Sequence, residues 1–162
     1  MLIKPIDVDN DLEKVRRIAE KAFSDTSDSS LDQWLSFAEM EKTIKNKRGL
    51  CIKATSDADN IIGILYAQQE NPINNEEGIE KWVIVIVAVD PEFTGKGVGS
   101  KLLSEIEKEA AERNAKKMFV YTNKNDIEVI DFYRKNGYED AGWIKDYQYG
   151  KNNSAVFLLK YL

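Results

Sequence analysis

The chain has 162 residues, 43% of them apolar and 31% charged, with 28 acidic against 23 basic side chains and a net charge of −5. This is the composition of one soluble globular domain, 1–162, large enough to bury a substantial core, and its acidic balance argues against a nucleic-acid partner. The longest apolar run, Val83 to Val89, is too short to cross a membrane, and the N-terminus has no signal-peptide pattern, so the expected location is cytoplasmic.

There is no histidine and a single cysteine, Cys51. Ser-His-Asp and Cys-His catalysis are excluded, no metal site is expected, and acid–base chemistry falls to Asp, Glu, Tyr, Lys or water. Cys51 lies in the apolar run Leu50-Cys51-Ile52, which reads as a small buried hydrophobe, with a reactive thiol as the alternative.

In chain order, Leu2 to Ile6 reads as a short strand, placed at a sheet edge because Pro5 cannot donate a ladder hydrogen bond. Asp9 or Asn10 is positioned to cap a helix running to about Phe23, with Leu12, Val15, Ala19, Ala22 and Phe23 on one face. A polar loop follows, and a second helix from about Leu31 is expected to bury Leu31, Trp34, Leu35 and Ala38. Gly49 to Thr55 and Ile61 to Gln69 read as strands joined by a turn, and Lys81 to Val89 is the most strand-like run in the chain. After a glycine-rich loop, Val98, Leu102, Leu103, Ile106 and Ala110 recur at helical spacing. Lys117 to Thr122 reads as a strand, and Asp126 to Asn136 as a helix stopped by Gly137. Two strands, around 138–149 and 154–161, close the chain.

The order β-α-α-β-β-β-α-β-α-β-β implies a mixed α/β (α+β) fold with about seven strands and flanking helices. The strands at 81–89 and 117–122, separated by a helix, should run parallel in a right-handed crossover, and the strands before them antiparallel. Ligands of such sheets sit beyond the carboxyl end of a strand where chain direction switches, here Val89.

Immediately after Val89 comes Asp90-Pro91-Glu92-Phe93-Thr94-Gly95-Lys96-Gly97-Val98-Gly99-Ser100. Three glycines at alternate positions let backbone N–H groups approach a bulky anion at a helix N-terminus, whose first donors have no internal partner. By itself the spacing also fits a tight turn with close helix packing. A Walker loop is excluded by the order Gly99-Ser100-Lys101, and a Rossmann fingerprint by a third glycine one place too close.

The motif, together with Phe132-Tyr133-Arg134-Lys135-Asn136-Gly137-Tyr138, resembles the GNAT (Gcn5-related) N-acetyltransferase family over nearly the whole chain. The resemblance implies acetyl-CoA as cosubstrate. It implies that the strand backbone at Val87, Ala88 and Val89 pairs with the pantetheine arm. It also implies that Thr94, Gly95, Lys96, Gly97, Val98, Gly99 and Ser100 hold the pyrophosphate, with Asp126 beside the cofactor. Tyr133 is implied as the acid that meets the departing sulfur; outside that family, the same tyrosine on an amphipathic helix reads as a core aromatic.

The chain departs from the family pattern at three places. Thr94 stands where Arg or Gln is usual, Asp126 where Asn is frequent, and Val83 where some members carry a glutamate base. Glu80, just before that strand, is the remaining candidate base, with a water relay as the alternative.

The implied acceptor is a primary amine, either a small molecule or a peptide N-terminus. Phe23, Asp25, Asp28, Trp34, Phe37, Glu76, Glu77 and Glu80 offer acidic and aromatic groups suited to a cation; the same residues also read as solvated loop charges and core aromatics. Trp143, Tyr147 and Tyr149 are available either to the acceptor cleft or to a homodimer interface. A non-catalytic CoA-binding module of the same fold is the other reading, motivated by Thr94 and Val83.

Overall fold

A computed structural model describes residues 1–24, 31–70, 79–148 and 150–162. Asp25, Asp28, Glu76, Glu77 and Tyr149 lie outside the described residues. The strands are β1 (Leu2–Pro5), β2 (Gly49–Thr55), β3 (Ile61–Gln69), β4 (Lys81–Val89), β5 (Lys117–Asn123), β6 (Glu139–Ile144) and β7 (Ala155–Tyr161). The helices among these residues are α1 (Val8–Ala22), α2 (Phe37–Lys45), α3 (Val98–Glu112) and α4 (Ile127–Lys135), with short 3-10 turns at Leu31–Gln33 and Pro91–Phe93. No described helix is long and apolar enough to cross a membrane.

The strands form one mixed sheet in the order β1-β2-β3-β4-β5-β7-β6, with β1 at an edge as Pro5 requires. β4 and β5 are its parallel pair, and β7 inserts between β5 and β6, pairing antiparallel with both. The expected apolar stripe of α3 is buried in full: Val98, Leu102, Leu103, Ile106 and Ala110 all lie in the core.

Local capping moves two helix starts. α1 begins earlier than Asp9, because Asp7 Oδ1 accepts the Asp9 N–H at 3.1 Å. The second helix begins not at Leu31 but at Phe37, where Ser36 Oγ accepts the Glu39 N–H at 3.3 Å. That shift rotates the buried face: Phe37 and Met40 go inside with Leu31 and Leu35, while Trp34 and Ala38 are exposed.

Two hydrophobic cores lie on opposite faces of the sheet. One, under α3 and α4, holds Leu50, Ile52, Trp82, Ile84, Met118, Val120 and Leu158. The other, under α1 and α2, holds Cys51, Ile64, Tyr66, Ile86 and Ala88. In β4, Trp82 and Ile84 belong to the first core, but Ile86 and Ala88, at the same parity, belong to the second. The cause is a bulge: Tyr66 of β3 pairs with Ile86 and Ala67 with Ile84, leaving Val85 as the extra residue. One inserted residue reverses which face every later side chain takes and bends the strand.

Candidate active site at the split between β4 and β5

The parallel ladder between β4 and β5 is short: Lys81↔Lys117, Trp82↔Met118 and Val83↔Phe119. It ends just before the Val85 bulge, while β5 continues to Asn123 alongside β7. From Ile84 to Val89 the β5-facing edge of β4 therefore has no described strand beside it. An exposed strand edge offers backbone donors and acceptors to any extended, amide-bearing ligand. Val87, Ala88 and Val89 lie on this edge.

At the end of β4, Asp90 caps the turn Pro91–Phe93, and the chain passes through Gly95 at φ +75° and Gly97 at φ +77°. Both are left-handed conformations that L side chains adopt at a cost. A Cβ on either glycine would meet no atom within 4 Å, so the turn presents bare backbone to open space. Gly97 is the N-cap of α3 and supplies no side-chain cap. Lys101 is the first residue whose N–H finds a backbone acceptor, Gly97 O at 3.1 Å; Val98, Gly99 and Ser100 precede it with no carbonyl one turn back. Uncapped N–H groups and the positive end of the α3 dipole lie together at this open turn, an arrangement that favours an anion.

Gly99 has a different task. A Cβ there would stand 3.1 Å from the Phe132 ring of α4. The missing side chain lets α4 pack directly against the first turn of α3. The next residue, Tyr133, is buried in the core, with its ring 5.1 Å from that of Phe132 and 5.4 Å from that of Tyr138.

The spacing from Tyr133 to Tyr138 has a structural cause. Gly137 takes φ +88°, its N–H donates to Arg134 O at 3.0 Å, and the Tyr138 N–H donates to Tyr133 O at 3.1 Å. This is a Schellman stop, completed by the apolar contact between the first and last residues of the pattern. Burial pushes the Tyr133 phenol upward from its ordinary pKa, and its hydroxyl has no hydrogen-bond partner among the described residues. Tyr133 thus stands, ring buried and phenol protonated, on the helix that packs against the first turn of α3; the fully buried side-chain atoms left unpaired among the described residues are instead Glu107 Oε1 and Tyr138 Oη.

The sequence model of the acetyltransferase (GNAT) family matches residues 12–138, a span that contains the split, the cradle and the Tyr133 helix. The chain belongs to the GNAT family. Solved members share the fold at low identity. Ribosomal-protein-alanine N-acetyltransferase from Brucella melitensis superposes with a TM-score of 0.81 at 20% identity, covering 100% of both chains. Aminoglycoside 6'-acetyltransferase type Ii gives 0.77 at 21%, covering 99% of this chain and 97% of that one. An aminoglycoside 6'-N-acetyltransferase complexed with coenzyme A gives 0.76 at 17%, with the same coverage. Among curated proteins, Bacillus subtilis (strain 168) YxbD is 36% identical over 53 residues, and the match spans a third of each chain.

The remaining candidates of this GNAT chain fall as follows. Thr94, Gly95, Lys96 and Ser100 are exposed around the turn, and Lys96 Nζ lies 4.9 Å above the Phe93 ring. Asp126 is at the N-cap of α4 but makes no side-chain cap; its Oδ2 instead accepts the Thr122 hydroxyl at 3.2 Å. Glu80 is exposed at the opposite end of β4 from the cradle, where its carbonyl accepts the Lys116 N–H. Cys51 is buried, and burial pushes its thiol pKa upward, so it is the small hydrophobe of the first reading and not a thiolate.

Of the residues expected to suit the acceptor, Phe23 and Trp34 meet edge to face at 5.4 Å, and Phe37 is buried under the Arg16 guanidinium, 4.4 Å from its ring centroid. Tyr147 joins Tyr121 and Phe157, which the sequence reading did not single out, in a cluster across the split with ring centroids 5.1–5.4 Å apart. Met118 and Val120 face α3 and α4, so Phe119 and Tyr121 face the other way. The cluster is built by the cross-strand pair Tyr121↔Phe157. Alternation within each strand was the available signal, but the pairing of β5 with β7 was not. Beside it, an open groove of about 420 Å³ is lined by Phe119, Trp143, Phe157, Leu159, Lys81 and Lys117 among others.

Proposed function

We propose that this protein transfers an acetyl group from acetyl-CoA directly to a primary amine, on a small molecule or a protein N-terminus. The observation that carries this is the juxtaposition of three parts: a side-chain-free glycine turn at a helix start, an unpaired strand edge leading away from it, and the Tyr133 phenol on the helix packed against that turn. Gly95 through Ser100 hold the pyrophosphate, and Val87, Ala88 and Val89 align the pantetheine arm along the split. The solved family member with coenzyme A supports the choice of donor.

The acyl donor supplies an activated thioester carbonyl. The amine nitrogen bonds to that carbon, the carbon–sulfur bond breaks, and sulfur leaves with the electron pair. Tyr133 meets the developing negative charge. An ordinary phenol, pKa about 10, is already a weaker acid than a thiol of about 8.5, and burial weakens Tyr133 further. Its role is therefore to donate a strengthening hydrogen bond to the sulfur, with the final proton reaching the thiolate from solvent.

The amine must also lose a proton. Glu80 is exposed, and it receives this proton through water. An α-amino acceptor, pKa about 8, needs less such help than a lysine-like one at about 10.4.

The test begins with a thermal shift on acetyl-CoA, followed by thiol release across a panel of primary amines. Stabilisation by acetyl-CoA and turnover with at least one amine are expected. Binding without turnover across the panel would support a non-catalytic module. Tyr133→Phe should lower kcat by ~10–100-fold with little change in the KM for acetyl-CoA, the lower end of the range for a positioned donor. Undiminished turnover removes Tyr133 from the chemistry.

A further inference from the structure

The cradle springs from a strand end that carries a buried carboxylate. Asp90 is hydrogen-bonded on every side. Its N–H donates to Ile62 O at 2.9 Å, its carbonyl accepts the Phe93 N–H at 2.8 Å, and its Oδ1 accepts the Glu92 N–H at 3.0 Å. The remaining oxygen, Oδ2, accepts the Lys21 ammonium at 2.8 Å, from the last turn of α1, 69 residues distant in sequence. The Asp90 side chain is 12% exposed, and Glu92, 3.7 Å from the same ammonium, is 77% exposed.

An acidic group at this position is chemically odd. The turn it caps gathers N–H dipoles for an anion, and a fixed negative charge at its root opposes that anion. A neutral cap residue would satisfy the Glu92 N–H equally well. Lys21 resolves the conflict: it cancels the carboxylate at contact distance and holds its pKa below the ordinary range, while the pair ties the root of the cradle to α1.

We propose that Lys21 is a positioning residue for the acyl donor, acting through Asp90 to neutralise and fix the root of the cradle. The inference rests on the reading of the cradle as the pyrophosphate site. Its effect is electrostatic, so it scales with the charge of the ligand and is relieved by removing the opposing charge.

The experiment is a cycle of Lys21→Met, Asp90→Asn and the double variant, with Lys21→Arg as the conservative control. Each is titrated with CoA at 25 °C, well below the melting temperatures measured alongside. Lys21→Met should weaken CoA by ~10-fold, Asp90→Asn should tighten it by ~3-fold, and the double variant should return to about the wild-type affinity, the coupling expected of a close charge pair. Lys21→Arg should bind as wild type. With S-acetylpantetheine, which has no phosphates, Lys21→Met should leave KM unchanged.

Wild-type affinity for CoA in Lys21→Met overturns the proposal. So does a double variant as weak as Lys21→Met, which is what a purely structural tie would give. Failure of the wild-type protein to bind CoA removes the cradle assignment itself, a result distinct from either.

Discussion

The two halves of this sheet are finished in different ways. Under α3 and α4 every central strand is closed over: Trp82, Met118 and Leu158 have no exposed surface. On the opposite face α1 and α2 cover β2, β3 and β4, while aromatics of the β5–β7–β6 flank remain in part open, with Tyr121 40% and Tyr147 48% exposed. The donor site proposed above is mostly backbone: two left-handed glycines, an uncapped helix start and a free strand edge. The open half is made of side chains. Backbone recognises the invariant parts of a ligand, phosphates and amides, whereas side chains set which acceptor fits.

The sharpest way to break this contrast is a pair of tryptophans. Trp82 is fully buried and its Nε1 donates to Ile79 O at 3.0 Å. Trp82→Ala should cost about 3–5 kcal/mol in a denaturant melt, from lost packing and the cavity left behind. Trp143, 64% exposed on the open flank, should change stability by no more than about 0.5 kcal/mol when truncated. Similar losses at both positions would mean that the flank is covered in solution.

Glycine replacements separate conformation from packing inside the donor half. Gly99→Val drives a side chain into Phe132 and should cost about 1–3 kcal/mol as overpacking, felt by the free protein. Gly97→Ala meets no neighbour and should cost about 1–2 kcal/mol for its left-handed backbone. Its Cβ points into the open cradle, so CoA affinity should fall more than stability does. Equal CoA affinity in Gly97→Ala would displace the pyrophosphate from this turn.

On the open flank, Tyr121→Ala should raise the KM for the amine several-fold and leave that for acetyl-CoA alone, the signature of lost uniform acceptor binding. The reverse pattern would move the acceptor elsewhere.

A smaller effect concerns pH. Burial pushes the Asp11 carboxyl upward, but the hydrogen bond and charge of Lys53 more than reverse this, leaving it below the ordinary range. The group therefore adds stability above a pH of about 4, lost as pH falls through its folded value. The melting temperature should decline below pH about 4, and Asp11→Asn should flatten that decline.

Much of this was legible in the sequence because it is written over short distances. The strand bounds of Gly49–Thr55, Ile61–Gln69 and Lys81–Val89, the buried stripe of α3 and the Gly137 stop follow from alternation, helical period and glycine conformation. The helix starts were less legible, because Asp7 competes with Asp9 and Asn10, and Ser36 with the polar residues before it; only the backbone path decides which side chain meets an open N–H. Asp126 shows the same limit from the other side: it holds the cap position, yet its carboxylate goes to Thr122.

By itself, then, the sequence determined the family, the element order and the glycine turn that opens α3, since each is a property of residues a few places apart. Tertiary structure decided the rest. Nothing in the uniform run from Val83 to Val89 marks Val85 as the bulged residue, because a bulge is defined by the register of the partner strand, and β3 sets that register. The end of the β4–β5 ladder, the Tyr121–Tyr147–Phe157 cluster and the Lys21–Asp90 pair likewise join segments distant in the chain. Such contacts cost chain entropy that only the completed core offsets, so they exist as features of the fold and not of any stretch of sequence.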